Sequence, residues 1–159
     1  MITRAANDER RSPVDLARLL SGAFVFLASF NAGAMLTLQL QHYAIYPHVG
    51  REAFADYIRA NNRAAAIPVI VPALALLLTS MLLVVARPSV VSLGAALLAL
   101  ALNVGQLAST FVWQRRLQAE MANTGYDAAK TRLLLSTNWI RTVAFLVQAL
   151  LATTLLVRP

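Results

Sequence analysis

Four apolar runs, each long enough to cross a bilayer as a helix, determine what this chain can fold into. They cover residues 19–41, 64–86, 90–114 and 138–157. The first three carry no charged side chain, and the fourth carries one, Arg141. A helix needs roughly 20 apolar residues to cross about 30 Å of hydrocarbon, and each run meets that length. The sequence therefore predicts an all-α, integral membrane four-helix transmembrane bundle that forms a single domain over residues 1–159.

The composition agrees with this class. Hydrophobic residues make up 58% of the 159-residue chain and charged residues 13%, which is typical of a membrane protein rather than of a soluble domain. The net charge of +7 comes mainly from arginines that flank the runs and suit lipid headgroups, so we expect no nucleic-acid partner. The chain has no cysteine, which excludes disulfides, thiolate nucleophiles and cysteine-ligated metals.

Missing residue types exclude further functions. None of the four runs contains Asp or Glu, so a carboxylate-bridged di-iron site or a carboxylate proton relay lacks its central residue. The sequence shows no glycine-rich phosphate loop and no dinucleotide fingerprint. His42 and His48 lie six residues apart with a proline between them, a spacing that does not specify a metal or haem site. We therefore expect no metal and no cofactor, with a two-histidine site as the alternative.

The connections between the runs are unequal in length. A short turn at residues 87–89 makes the second and third runs an antiparallel hairpin, whereas the connections at 42–63 and 115–137 are long and polar. Both long connections contain a helical pattern, which is amphipathic beyond Gly50 in the first and covers residues 128–135 in the other. We expect short interfacial helices in loops 1 and 3. Because the first helix often determines orientation, we expect a multi-pass protein of the bacterial inner (plasma) membrane with cytoplasmic termini.

Polar side chains collect at one end of the predicted bundle. His42 follows the first run, Asn62 precedes the second, Gln114 ends the third and Asn138 opens the fourth. Because the spans alternate in direction, all four residues share one membrane face. The sequence therefore predicts a polar vestibule at that face, while the opposite face has little more than a short turn and the termini.

Helical spacing extends this polar surface into the spans. Asn103, Gln106 and Trp113 share one face of the third span. Asn31, Asn103 and Gln148 each lie ten or eleven residues from the polar end, which is roughly 15 Å at about 1.5 Å per residue. We expect a shared polar level inside the bundle, with the alternative that these amides only tie helices together.

Arg141 and His42 are the side chains best suited to chemistry. Arg141 lies about one turn into the fourth span, where a guanidinium usually faces a partner or a cavity, and snorkelling to the headgroups is the alternative. His42 can act as a general base because histidine titrates near neutral pH. Four aromatic side chains near this face either belong to an aromatic belt or wall a pocket for a flat ligand: Tyr43, Tyr46, Trp113 and Trp139.

Two stretches of the chain resemble a known family. The first loop reads His42-Tyr43-Ala44-Ile45-Tyr46-Pro47, followed by Phe54-Ala55-Asp56-Tyr57 and Asn62-Arg63, and the fourth span begins Asn138-Trp139-Ile140-Arg141-Thr142. With four spans, the chain resembles the anthrone-oxygenase-like family of small bacterial and fungal membrane proteins. It departs from that family at Asn61 and Asn62, where histidine is often found.

The resemblance implies cofactor-independent oxygenation of a reduced polycyclic phenol, in which a substrate carbanion reacts directly with oxygen. Such a reaction needs a base, an apolar slot and hydrogen-bond donors for the developing oxyanion. The resemblance gives the role of base to His42. It gives the role of donor to Arg141, Asn138 and Asn62, and the aromatic residues Tyr46, Trp113 and Trp139 would shape the slot.

We therefore expect a small aromatic or amphiphilic ligand in the vestibule, contacted also by Asn103 and Gln106, with oxygenase or oxidoreductase activity as a further step. Two alternatives stay open: a non-enzymatic interaction or assembly subunit of a membrane complex, and a lipid- or quinone-binding protein without chemistry. Membrane lipids are expected partners. Ser29 and Gly33, four residues apart, would let another helix approach closely, within the chain or in a homo-oligomer.

Overall fold

The computed structural model describes the backbone of residues 12–89 and 91–157 and the side chains of residues 16–89 and 91–154. Within these ranges the chain forms helices and turns and no strand, which confirms the predicted all-α fold. The arginines at positions 4, 10, 11 and 158, and position 90 of the third run, lie outside the described residues. The α-helices are α1 (Ser12–Thr37), α2 (Phe54–Ala64), α3 (Val71–Val85), α4 (Leu93–Ser109), α5 (Arg115–Thr124) and α6 (Ala128–Val157).

Four helical stretches are long and apolar enough to cross a membrane, by length and composition: Leu16–His48, Ala66–Val85, Leu93–Thr124 and Ala128–Thr154. Each coincides with one of the four predicted runs, and the first, third and fourth extend further at the polar end. The short helix in the third loop is α5, which continues directly from the third span. The helical pattern predicted at 128–135 is instead the first part of α6, because no glycine or proline separates it from the fourth run.

The spans form a ring in the order α1, α3, α4, α6, with α1 and α6 also in contact. Small buried side chains, such as Ala28, Ala96 and Ala152, let the helices approach closely, and Phe24 and Leu76 fill the space between them. The contact between α4 and α6 is the sparsest of the four in the ring. The bundle is therefore closed on three sides and looser along its α4–α6 seam.

The small-residue pair on α1 takes no part in this packing. Ser29 and Gly33 are both exposed, and nothing lies within 4 Å of the position of a side chain at Gly33. Within the described part of the chain, no other helix packs closely against this pair.

Beyond the polar end of the bundle, the two long connections pack together as a cap. We define the cap as α2, the 3-10 turn Tyr43–His48 and α5. Phe54 and Ile58 of α2 are fully buried, together with Tyr46 and Met121, and the ring of Tyr126 lies edge-on to Phe54. The amphipathic helix predicted in the first loop is thus present as α2. Its apolar face contacts protein, because α5 offers it a complementary apolar face.

Three of the four spans contain a five-residue π-helical segment at the cap end: Leu38–His42, Ala66–Ile70 and Thr110–Gln114. Proline accounts for the second of these. Pro68 lies inside it and Pro72 follows it, and a proline lacks the N–H and crowds the carbonyl four residues earlier, which a wider turn relieves. Such π turns are rare in proteins and are often found at functional sites.

Candidate functional site

A cavity of about 380 Å³ lies between the cap and the adjoining ends of the spans. We call it the cap cavity. All three π segments contribute to its wall, as do α2, α5 and α6. Its volume lies within the roughly 300–1,000 Å³ typical of small-molecule sites. The wall is mostly apolar, but several polar side chains line it: His42, Tyr43, Asn61, Asn62, Thr110, Gln114, Arg115, Gln118 and Arg141.

Arg141 borders the cap cavity and is held by a chain of amides behind it. Its side chain is buried, with 6% of its surface exposed. Nη1 of Arg141 donates to Oδ1 of Asn138 at 3.1 Å, and Nδ2 of Asn138 donates to Oε1 of Gln39 at 2.8 Å. Gln39 in turn donates to the carbonyl of Leu135 at 3.4 Å. Asn138 and Gln39 therefore fix the orientation of the guanidinium without neutralising it.

Arg141 has no acidic partner among the described residues. The ion pairs of this part of the chain lie at the surface of the cap and at the start of α6: Arg59 with Asp56, Arg116 with Glu120 and Lys130 with Glu120. Nε of Arg141 is buried and finds no hydrogen-bond partner among the described atoms. A buried cation without a counter-charge is costly, so this part of the wall is suited to a ligand oxygen with negative character.

His42 stands between two phenols at the edge of the cap cavity. Nε2 lies 3.4 Å from the hydroxyl of Tyr46, and Nδ1 lies 3.4 Å from the hydroxyl of Tyr57. Both distances are long for hydrogen bonds, so a ligand can replace either contact. Burial raises the pKa of the Tyr57 phenol, which therefore stays protonated near neutral pH and can donate to the imidazole. The ring of Tyr57 also stacks on His42, with centroids 6.1 Å apart.

A second, smaller pocket of about 20 Å³ lies inside the bundle and shares Arg141 and Thr110 with the wall of the cap cavity. Asn103, Gln106 and Arg141 line it, with Met35 and Phe145 as apolar neighbours. We call it the inner pocket, and it has room for about one water-sized molecule. Oε1 of Gln106 is fully buried and has no hydrogen-bond partner among the described atoms.

The three amides predicted at one level inside the bundle are all buried but form no common network. No hydrogen bond joins any two of them within the described ranges. Each donates to a neighbouring span: Asn31 to the carbonyl of Pro72 at 3.2 Å, Asn103 to the hydroxyl of Ser80 and Gln148 to the carbonyl of Ala99 at 3.5 Å. Asn31 and Gln148 therefore serve as ties between helices, which is the alternative given by the sequence analysis. Asn103 also ties two helices, and in addition it lines the inner pocket.

A third cavity, an apolar groove of about 470 Å³, runs along the seam between α4 and α6. We call it the lateral groove. It opens on the outside of the bundle, where Ile140 is 71% exposed, and small residues such as Gly105 and Ala144 leave it wide. The buried side chains of Gln106 and Arg141 form its deepest part. The lateral groove and the inner pocket therefore meet at the same two residues.

The structure places most of the predicted site residues around Arg141 and His42. Asn62 lines the cap cavity with them, and Asn103 and Gln106 line the inner pocket. Tyr46 and Asn138 line none of these three cavities and lie behind the residues that do. They contact His42 and Arg141 through hydrogen bonds instead.

The two tryptophans lie apart from the cap cavity. Trp113 is half exposed and lines the lateral groove, whereas Trp139 is 43% exposed and lines none of the three cavities. The π segment explains the position of Trp113. An i→i+5 turn is wider than an α turn, so Gln114 rather than Trp113 follows Thr110 on the buried face.

Sequence reasoning assigned no binding role to three glutamines that the site contains. Gln39 orients Asn138, and Gln114 lines the cap cavity while donating to the hydroxyl of Thr137 at 2.9 Å. Gln118 lines the cap cavity and donates to the hydroxyl of Tyr43 at 3.3 Å. Gln39 and Gln114 each lie at the polar end of a long apolar run, and this position is the sequence feature that indicates a place in the site.

Within residues 12–89 and 91–157, no three His, Asp or Glu side chains lie close enough together to hold a metal ion. His48 is exposed at the end of the 3-10 turn, whereas His42 lines the cap cavity. In comparisons with known proteins, no protein-family model, no curated protein and no solved structure matches this chain. The resemblance to anthrone-oxygenase-like proteins therefore stays a prediction.

Proposed function

We propose that this chain is an integral membrane protein that binds a small, largely apolar aromatic or amphiphilic molecule in the cap cavity. One observation carries the proposal. The buried guanidinium of Arg141 borders a cavity of ligand size, its Nε has no partner among the described atoms, and no carboxylate lines the cavity wall. A ligand oxygen that accepts a hydrogen bond from the guanidinium would compensate part of the cost of the buried charge.

The rest of the wall favours an aromatic ligand. Tyr43, Val69, Ile70 and Phe111 provide aromatic and apolar surface, on which a flat ring packs in an offset or edge-on arrangement. Polar side chains from α2 and α5 offer hydrogen bonds to a second polar group on the ligand. A polycyclic phenol or ketone combines these properties, since its rings are apolar and its oxygens lie at the edge.

We further propose that the bound molecule is oxygenated without a cofactor, as the resemblance implies. His42 takes a proton from a ring methylene group, and Arg141 stabilises the negative charge that the carbanion places on the ring oxygen. The carbanion carbon bonds to O₂, the resulting peroxide takes up a proton, and loss of water leaves a carbonyl. The balance is one methylene and one O₂ consumed for one carbonyl and one water formed.

Binding and turnover are tested separately. Binding of 1,8-dihydroxyanthraquinone to the purified protein in lipid nanodiscs is measured by the change in its visible absorption. Consumption of O₂ with 1,8-dihydroxyanthrone measures turnover. We expect His42→Gln to keep binding and lose turnover, and Arg141→Gln to weaken binding and lose turnover. The absence of saturable binding to the unaltered protein would contradict the binding function, and binding without O₂ consumption would contradict the oxygenase step alone.

A further inference from the structure

The cap cavity has a buried interior and an exposed rim. The wall formed by the π segment Thr110–Gln114 and α5 presents two columns of side chains, because residues three and four apart share a helical face. The side chains of the inner column are buried or half-buried, and those of the outer column are exposed. The inner column consists of Thr110, Gln114 and Gln118, and the outer column of Phe111, Arg115 and Ala119.

The wall formed by the end of α2 and the start of the second span shows the same division. Asn61 and Ala65 are half-buried, whereas Asn62 and Ala66 are exposed. We define the rim of the cap cavity as Asn62 and Ala66 together with the outer column of the other wall. Arg115 is the charged member of this rim, so a ligand that fills the cavity as far as its rim meets a guanidinium there.

The guanidinium of Arg115 is held at the rim and is not neutralised by the described residues. Its central carbon lies 5.5 Å from the centroid of the Phe111 ring, a cation–π contact with another rim residue. None of the ion pairs in the described part of the chain includes Arg115. The next residue, Arg116, differs on both points, since it pairs with Glu120 at 3.1 Å and does not line the cavity.

The cap cavity therefore has two arginines in its wall, a buried one at Arg141 and an exposed one at Arg115. No carboxylate lines the cavity. The oxygen of a polycyclic phenol or ketone is a suitable partner for Arg141, but a neutral ligand leaves the second positive charge uncompensated. A carboxylate suits Arg115, because a guanidinium can donate two parallel hydrogen bonds to it, and at the exposed rim it keeps part of its hydration.

We infer that the ligand of the cap cavity is an aromatic carboxylate, and that Arg115 determines this specificity. The rings of the ligand fill the cavity with a ring oxygen at Arg141, and its carboxylate lies at the rim beside Arg115. This inference rests on the proposed function and adds to it the charge of the ligand and the residue that selects it. A phospholipid phosphate is the other source of an anionic oxygen group for Arg115, and the experiment distinguishes the two.

Two anthraquinones of nearly equal size test the inference. The first is 1,8-dihydroxyanthraquinone-3-carboxylic acid, which is ionised at neutral pH, and the second is its neutral 3-hydroxymethyl analogue. Both present the same ring oxygens to Arg141, so the ratio of their affinities reports on the carboxylate alone. Binding to the protein in phosphatidylcholine nanodiscs is measured by visible absorption. We expect the carboxylate to bind about fivefold more tightly, which corresponds to about 1 kcal/mol for an exposed ion pair.

Neighbouring arginines provide the variant and its matched control. Arg115→Gln removes the charge at the rim and should reduce the ratio of the two affinities to about one. Arg116→Gln removes a charge one residue away, outside the cavity, and should keep the ratio of the unaltered protein. Saturable binding of the hydroxymethyl analogue shows that each variant is folded. If Arg115→Gln binds neither compound, Arg115→Met takes its place, because its unbranched side chain can still pack on Phe111.

Two results would overturn the inference. Equal affinities of the two compounds for the unaltered protein would mean that the rim does not select a carboxylate, as expected if a lipid phosphate already occupies Arg115. A preference for the carboxylate that persists in Arg115→Gln and is lost in Arg141→Gln would place the carboxylate at the buried arginine instead. In both cases the anthraquinones still bind, so the proposed function stands while the inference about Arg115 fails. If neither compound binds to the unaltered protein, the proposed function itself fails.

Discussion

Arg141 is the residue on which ligand binding most depends, because it is buried and its described hydrogen-bond partner is a neutral amide. We expect Arg141→Gln to weaken ligand binding by about 1.5–3 kcal/mol, the range for hydrogen bonds to charged groups. Arg132→Gln is the matched control, since Arg132 lies exposed on the same helix. Equal affinities of the two variants in a binding titration would show that the guanidinium does not contact the ligand.

Asn138 and Asn103 are both buried amides, and we expect their replacement to have different effects. Asn138→Leu removes the acceptor for Arg141 and the donor for Gln39, so it should destabilise the protein by about 1–3 kcal/mol and lower affinity without a direct ligand contact. Asn103→Leu removes one interhelical tie to Ser80 and should cost only about 0.6 kcal/mol. Unfolding titrations in mixed detergent measure both changes, and similar losses would contradict the distinction.

Some site residues could be predicted from the sequence, because their charge or their position at the end of an apolar run is unusual. Arg141 is the sole charge in the four runs, and His42 and Asn62 lie at their polar ends. The position of Trp113 could not be predicted. Counting with the α-helical period places Trp113 on the polar face, and the π turn moves it to the groove.

At the scale of elements, the π segments shape the cap cavity, and the second one depends on proline. We expect Pro72→Ala to supply the missing N–H, favour an α turn and move Val69 and Ile70 in the cavity wall. Ligand affinity should fall while the free energy of unfolding stays the same or rises. Pro88→Ala, in the turn at the far end of the bundle, should leave affinity unchanged. An affinity for Pro72→Ala equal to that of the unaltered protein would show that the π turn has no role in binding.

The four spans and the amphipathic α2 are predictable because each has a strong periodic or hydrophobic signal. The ends of the helices and the positions of the π turns are not predictable from such signals. α6 extends ten residues before the predicted start at Asn138, because the polar stretch there still has good helix formers. The π segment Thr110–Gln114 has no proline within it, and nothing in its sequence predicts it.

At the scale of the whole molecule, the alternating direction of the four spans predicts which parts of the chain face the same side of the membrane. Because the chain has no cysteine, single cysteines can report this. Asn123→Cys lies exposed in the cap, and Ser89→Cys lies exposed in the turn at the other end. If the termini are cytoplasmic, an impermeant maleimide should label Asn123→Cys in intact cells and Ser89→Cys only after permeabilisation. The reverse pattern would contradict the orientation, and equal labelling would contradict the alternating four-span arrangement.

The shared polar face could be predicted from the sequence, since alternation of four spans places all the polar ends together. The cavity itself could not be predicted. It exists because the cap packs on itself through Phe54, Ile58 and Met121 and leaves space above the spans, a long-range packing arrangement that no local pattern contains.

The most direct test of the central claim, that the cap cavity holds an aromatic ligand through Arg141, is to identify what the protein carries when it is isolated. The unaltered protein, Arg141→Gln and Arg132→Gln are purified in mild detergent, and their absorption spectra and solvent extracts are compared by mass spectrometry. We predict an aromatic, oxygen-bearing molecule near one equivalent in the unaltered and Arg132→Gln proteins and its loss from Arg141→Gln. The same small molecules at the same amounts in all three preparations, or a partner protein in place of any small molecule, would contradict the claim.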